Sequence, residues 1–103
     1  MIEVALSVIV QAKPGQENDV ADFLRGARSV VEQEPGTRAW FALQLDESTF
    51  GIFDVFPDDA ARQAHLAGGV GQALAAQAEE LFSAEPRIQN LDVLAYKLPG
   101  ETE

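Results

Sequence analysis

Thr37-Arg38-Ala39-Trp40-Phe41-Ala42-Leu43-Gln44-Leu45, a break at Asp46-Glu47-Ser48, and Thr49-Phe50-Gly51-Ile52-Phe53-Asp54-Val55-Phe56 together decide the fold. Both runs are rich in aromatic and β-branched side chains and are separated by three polar residues, so they predict an antiparallel hairpin. Neither run alternates cleanly between apolar and polar. Trp40 and Ala42 are out of phase with Phe41, Leu43 and Leu45, while Phe50, Ile52 and Phe56 are out of phase with Phe53 and Val55. Both faces of the hairpin are therefore apolar, whereas an antiparallel sheet with helices on one side normally shows water a polar second face.

Upstream, Ile2, Val4, Leu6, Val8 and Val10 set a period of two that predicts a strand from Ile2 to Val10, stopped by Lys13-Pro14-Gly15. Val20, Phe23, Leu24, Ala27, Val30 and Val31 then recur at helical spacing, with Gln16, Glu17, Asn18 and Asp19 in the first turn, where the backbone dipole favours acid. That helix ends at Glu34-Pro35-Gly36, because proline disfavours helix in the residue before it. Downstream, Asp58 or Asp59 caps a short helix to about Leu66. Gly68-Gly69-Val70-Gly71 reads as a loop, since it lacks a P-loop lysine and follows no strand. Val70, Ala73, Leu74, Gln77, Ala78, Leu81 and Phe82 stripe a further helix that closes before Pro86, and Arg87 to Leu98 form the last strand, apolar on both faces with Val93 and Ala95 against Leu94, Tyr96 and Leu98. Pro99-Gly100 then releases a polar tail, residues 99–103.

The order β-α-β-β-α-β in one domain, residues 1–98, predicts an α+β ferredoxin-like fold: a four-stranded antiparallel sheet with its helices on one face. Helices sufficient for one face leave the other as an apolar patch, and a second copy packing sheet against sheet covers it most simply, as an isologous homodimer. The alternative is that these side chains are single exposed residues on a tolerant surface.

Composition narrows the function. Seventeen acids against seven bases give a formal charge of −10, which disfavours nucleic acid and anionic membrane partners. No apolar run nears the roughly 20 residues needed to span a bilayer, and the N-terminus has no basic leader pattern, so a cytoplasmic protein is expected. With no cysteine and a single histidine, structural zinc, iron–sulfur clusters and a Cys–His pair lack their ligands.

That histidine, His65, titrates near physiological pH and is a candidate base; the bland alternative is a helix-end side chain bonded to a backbone carbonyl. Asp54, in phase with Ile52 and Phe56, is an acid inside an apolar strand, and it either serves a cavity or pairs with Arg38, Arg62 or Arg87. Ser7 is likewise a polar interruption. Trp40 and Tyr96 are the single-copy aromatics, which either line a cavity or fill the core.

Val10-Gln11-Ala12-Lys13-Pro14-Gly15-Gln16-Glu17, then Glu34-Pro35-Gly36-Thr37, Phe53-Asp54-Val55-Phe56-Pro57-Asp58 and Ala64-His65-Leu66, together resemble the antibiotic biosynthesis monooxygenase family over nearly the whole domain. The resemblance implies a dimeric α/β barrel and oxidation of a small phenol- or quinol-type aromatic by dioxygen, with no flavin, haem or metal cofactor. It also implies His65 and Asp54 as the catalytic pair, with Trp40, Ser7, Phe56 and Tyr96 as substrate contacts. Phe56 stands where many relatives have tryptophan, Val70 where a second histidine stands, and Ser7 where haem-degrading relatives carry asparagine; these departures argue against haem degradation. The family also contains isomerase- or lyase-like and purely ligand-binding members, so those readings stay open.

Overall fold

A computed structural model describes residues 1–102. Its elements are β1 (Val4–Gln11), α1 (Glu17–Val31), β2 (Ala39–Gln44), β3 (Thr49–Phe56), α2 (Asp59–Leu66), α3 (Gly69–Leu81), β4 (Arg87–Asp92), β5 (Lys97–Leu98) and β6 (Glu101–Thr102). The first four strands form one antiparallel sheet in the order β2-β3-β1-β4, the ferredoxin-like arrangement anticipated above. No helix among the described residues is long and apolar enough to cross a membrane.

Directly opposed residues in such a sheet share a face, so register assigns each strand residue to one side. Trp40 opposes Asp54 and Asp54 opposes Leu6; Ile52 opposes Val8 and Val8 opposes Ile88. These rows face the helices. There Val8, Val10, Phe50 and Ile52 pack with Val20, Leu24 and Val31 of α1 and with Val70, Leu74 and Leu81 of α3 to make the main core.

The outer face is divided. Phe41, Phe53 and Ser7 share one row, and Ala39, Val55, Ala5 and Leu91 the next. Ile2, Ala5 and Val55 are buried beneath Val93, Tyr96 and Leu98, whereas Phe41 is 50% exposed, Leu43 47% and Leu45 55%. The second face is thus covered over one half by the chain's own C-terminal segment and bare over the other.

That segment corrects two expectations. The last strand ends at Asp92 rather than Leu98, because Asp92 already lies opposite Val4, the first residue of β1, and no partner strand continues beyond it. The Val93 N–H instead donates to the Glu3 carbonyl and the chain turns across the outer face. The tail is not released either: a turn at Pro99–Gly100 folds Glu101–Thr102 back onto Lys97–Leu98. Glu103 lies outside the described residues.

Gly69, Val70 and Gly71 are likewise not loop but the first turn of α3, whose N-cap is Gly68. A Cβ on Gly71 would stand 2.2 Å from the Leu66 carbonyl oxygen, so only glycine lets α3 start this close to the end of α2.

Candidate functional site

His65 sits in the last turn of α2, where the negative end of the helix dipole favours a cation. The helix is fixed at its start by Asp58, whose carboxylate accepts the Ala61 N–H at 2.8 Å. Arg62, one turn before the end, donates to Asp59 and to the carbonyls of Ala5 and Leu91, which ties α2 to the sheet. Arg62 is therefore committed elsewhere, and the ion pair considered for it with Asp54 does not form.

Asp54 meets His65 instead. It rises from β3 between Ile52 and Phe56, is 1% exposed, and brings Oδ2 within 2.8 Å of His65 Nε2. Neither oxygen of Asp54 has a donor aimed at it, so the contact lacks the alignment of a hydrogen bond. On the other side of the ring, His65 Nδ1 donates to Glu34 Oε1 at 2.5 Å, and that oxygen also accepts the Thr37 hydroxyl at 2.8 Å. Glu34 and Thr37 arrive from the loop between α1 and β2. Gly36 lets this loop press on α2, since a Cβ there would be 2.9 Å from Ala61 Cβ. The Phe56 ring, fully buried, tilts against the imidazole at 5.3 Å between centroids.

The charges follow from this packing. Burial pushes the Asp54 carboxyl above its ordinary value, and the Glu34 charge adds to that push, against the pull of His65. Burial alone would lower the imidazole, but the Asp54 carboxylate against it and the bonded Glu34 carboxylate outweigh that, and His65 titrates above its ordinary value. Asp54 and His65 thus both hold their protons more firmly than they would in water. The imidazole occupies the centre between the two acids, so they do not converge on a common ion, and among the described residues no His, Asp and Glu cluster could hold a metal.

Beside His65 opens a chamber of about 390 Å³, within the size range of small-molecule sites. Its wall is Leu6, Val8, Ile52, Val70, Leu74 and Ile88, with His65 on one part and Glu85 on another. Of the six residues singled out from sequence, His65 alone lines it. Asp54 and Phe56 stand behind the imidazole. Trp40 is on the helix side, opposite Asp54, but lines a separate groove with Leu24 and Ala42; its indole N–H is buried without an acceptor. Ser7 lies on the outer face beside Phe53, and Tyr96 packs in the C-terminal cluster on that same face, so neither reaches the chamber.

Sequence reasoning passed over Glu34 and Thr37, since E-P-G-T reads as turn chemistry. The signal available was an acid at a helix end followed by a glycine turn, and it names no partner 31 residues away. The chamber's aliphatic wall has the same periodicity as core, so spacing alone does not mark it.

Engaged at both nitrogens, His65 is no free base in this arrangement. A ligand in the chamber would have to displace the poorly aligned Asp54 contact to reach Nε2, while Glu34 keeps hold of Nδ1.

No family model and no curated protein matches the chain. Among solved structures, a protein of unknown function from Nitrosomonas europaea is similar at 52% identity over 96% of each chain, with a TM-score of 0.94. Protein PA3566 from Pseudomonas aeruginosa is 23% identical, covering 92% of this chain and 97% of its own, at a TM-score of 0.79. An antibiotic biosynthesis monooxygenase is 20% identical, covering 88% of this chain and 98% of its own, at a TM-score of 0.75. The chain belongs to the family of that Nitrosomonas europaea protein, and its fold is the fold of antibiotic biosynthesis monooxygenases.

Proposed function

We propose that the chain is an oxidoreductase that oxidises a small, electron-rich aromatic, a phenol or quinol, with dioxygen and without a bound cofactor, in the cytosol. The single observation that supports this most is an apolar chamber of about 390 Å³ with one imidazole in its wall, backed by two carboxylates. An apolar wall strips water from the substrate's hydroxyl, and His65 takes its proton. The phenolate then gives one electron to dioxygen. Superoxide recombines with the aryl radical at a ring carbon that bears hydrogen, forming a C–O bond. Loss of that hydrogen as a proton and cleavage of the O–O bond leave a quinone and release hydroxide, which becomes water. One oxygen atom ends in product and one in water, with the substrate as the sole reductant.

A second copy completes the assembly in this reading, covering the bare half of the outer face around Phe41, Leu43 and Leu45. Sedimentation at micromolar concentration should give about twice 11.1 kDa.

One observation favours a different reading, a binding module without turnover: both nitrogens of His65 already have partners. Oxygen uptake with a panel of hydroquinones and naphthols separates the two. Uptake matched by quinone formation, and lost in His65→Ala, supports oxidation. Calorimetric binding of the same compounds with no uptake by the parent protein replaces it with the module.

A further inference from the structure

Among the described residues His65 is the one that lines both the apolar chamber and a neighbouring cleft. The apolar chamber has it in one wall, and a second cleft of about 250 Å³ has it beside Glu34, Gly36, Thr37 and Ala61. Side-chain exposure rises in order through the three groups, from 1% at Asp54 to 8% at His65 and 21% at Glu34. The imidazole thus stands between the two cavities, with the buried carboxylate of Asp54 behind it and the more exposed one of Glu34 at the second cleft.

We propose that Glu34 is the proton outlet of the site: it holds His65 by Nδ1 and passes to the second cleft the proton that His65 takes up on its chamber side. A proton taken up by the imidazole needs a route onward, and of the two carboxylates that hold the ring Glu34 is the more exposed, at 21% against 1% for Asp54. With His65 neutral and its Nδ1–H donating to Glu34, the substrate hydroxyl displaces the unaligned Asp54 contact at Nε2, and its O–H bond breaks as Nε2–H forms. The Nδ1–H bond breaks as an O–H forms on Glu34 Oε1, and that proton leaves to solvent through the cleft. No electrons enter or leave the protein in this step. Thr37, donating to the same oxygen at 2.8 Å, keeps the carboxylate turned to the ring. The charged groups around His65 are accounted for: Asp54 faces it from β3, Glu34 from the α1–β2 loop, Arg62 on its own helix is tied to Asp59 and two carbonyls, and Val70 and Leu74 of α3 present no charge to the chamber. Glu34 is a positioning and relay residue, since His65 stands between it and any substrate.

The proposal depends on the oxidation reading only for the source of the proton, and the test separates them. Nitrogen-15 spectra of the single histidine report its titration with no substrate present. In Glu34→Gln, which keeps the shape and an acceptor but cannot carry the proton, the His65 midpoint should fall by about one pH unit. An unchanged midpoint overturns the coupling. With a hydroquinone that the parent protein oxidises, Glu34→Gln should lose about tenfold or more in kcat at constant KM. Added imidazole buffer should restore part of the rate, and Glu34→Asp should recover more of it than Gln does. Parent-like kcat in Glu34→Gln overturns the outlet. If the parent oxidises none of the panel, the oxidation reading falls, while the midpoint shift still decides whether Glu34 governs the proton on His65. Should Glu34→Gln not fold, Glu34→Asp carries the same readouts, with a smaller fall in the midpoint expected.

Discussion

The two faces of this sheet are built from the same residue types and yet behave differently. On the helix side, Leu6, Val8, Ile52 and Phe56 are buried, and the one acid among them, Asp54, is buried with them against His65. On the outer side Phe41, Leu43 and Phe53 stay partly in water, and the polar residue among them, Ser7, is half-buried beside Phe53 and Gln89. Hydrophobic content therefore does not distinguish a chamber wall from an association surface. What separates them is a charged group that packing forces to find a partner, because a buried unpaired charge is costly and an exposed one is not.

The largest test of that contrast is His65→Ala against Ser7→Ala. Removing the imidazole strands Asp54 in the core, and unfolding by urea should show a loss of about 3–5 kcal/mol. Ser7→Ala, on the outer face, should stay within about 0.5 kcal/mol of the parent. Equal effects would mean that the two faces do not differ in the way described.

The pH dependence comes next in size. Asp54 and His65 both titrate above their unfolded values of 3.8 and 6.5, so the folded state holds more protons than the unfolded chain. The His65 contribution is fully present below pH 6.5 and is lost as pH rises through its raised folded value; for Asp54 the loss begins above 3.8. Each unit of elevation is worth about 1.4 kcal/mol. The thermal midpoint should therefore decline between neutral and mildly alkaline pH, and His65→Gln should flatten that decline. A midpoint that rises with pH over this range would contradict it. Exposed Asp46 and Asp59 act in the opposite sense, being held below 3.8 by hydrogen bonds from Ser48 and Arg62 first of all, and affect only the acid limb.

The smallest effect on the monomer's stability is expected on the bare outer half. Leu43→Lys, at a residue 47% exposed, should cost less than about 1 kcal/mol of folding free energy while lowering the sedimenting mass to that of one chain. A large loss of stability at low protein concentration would mean that Leu43 belongs to the fold of the single chain.

Much of the architecture could be read along the chain. The period-two run around Val8, the helical stripe from Val20 to Val31, and the Asp58 cap each announce local structure through contacts a few residues long. Asp54 stood out for the same reason, as a charge in phase with Ile52 and Phe56. Ser7, Tyr96 and Trp40 were grouped with it because each is a singular residue in a strand-like run, and singularity carries no information about side. Register puts Ser7 with Phe53, and the exit of the chain at Asp92 carries Tyr96 over the outer face.

The amino-acid order by itself determined the element types, their succession and the scarcity of chemical equipment, because periodicity, turn residues and composition act locally. Tertiary structure alone decided that Glu34 reaches His65 across 31 residues of chain, that Gly36 and Gly71 allow the close approaches around it, and that His65 stands between two cavities. Those depend on long-range packing, whose partners leave no periodic trace in the chain.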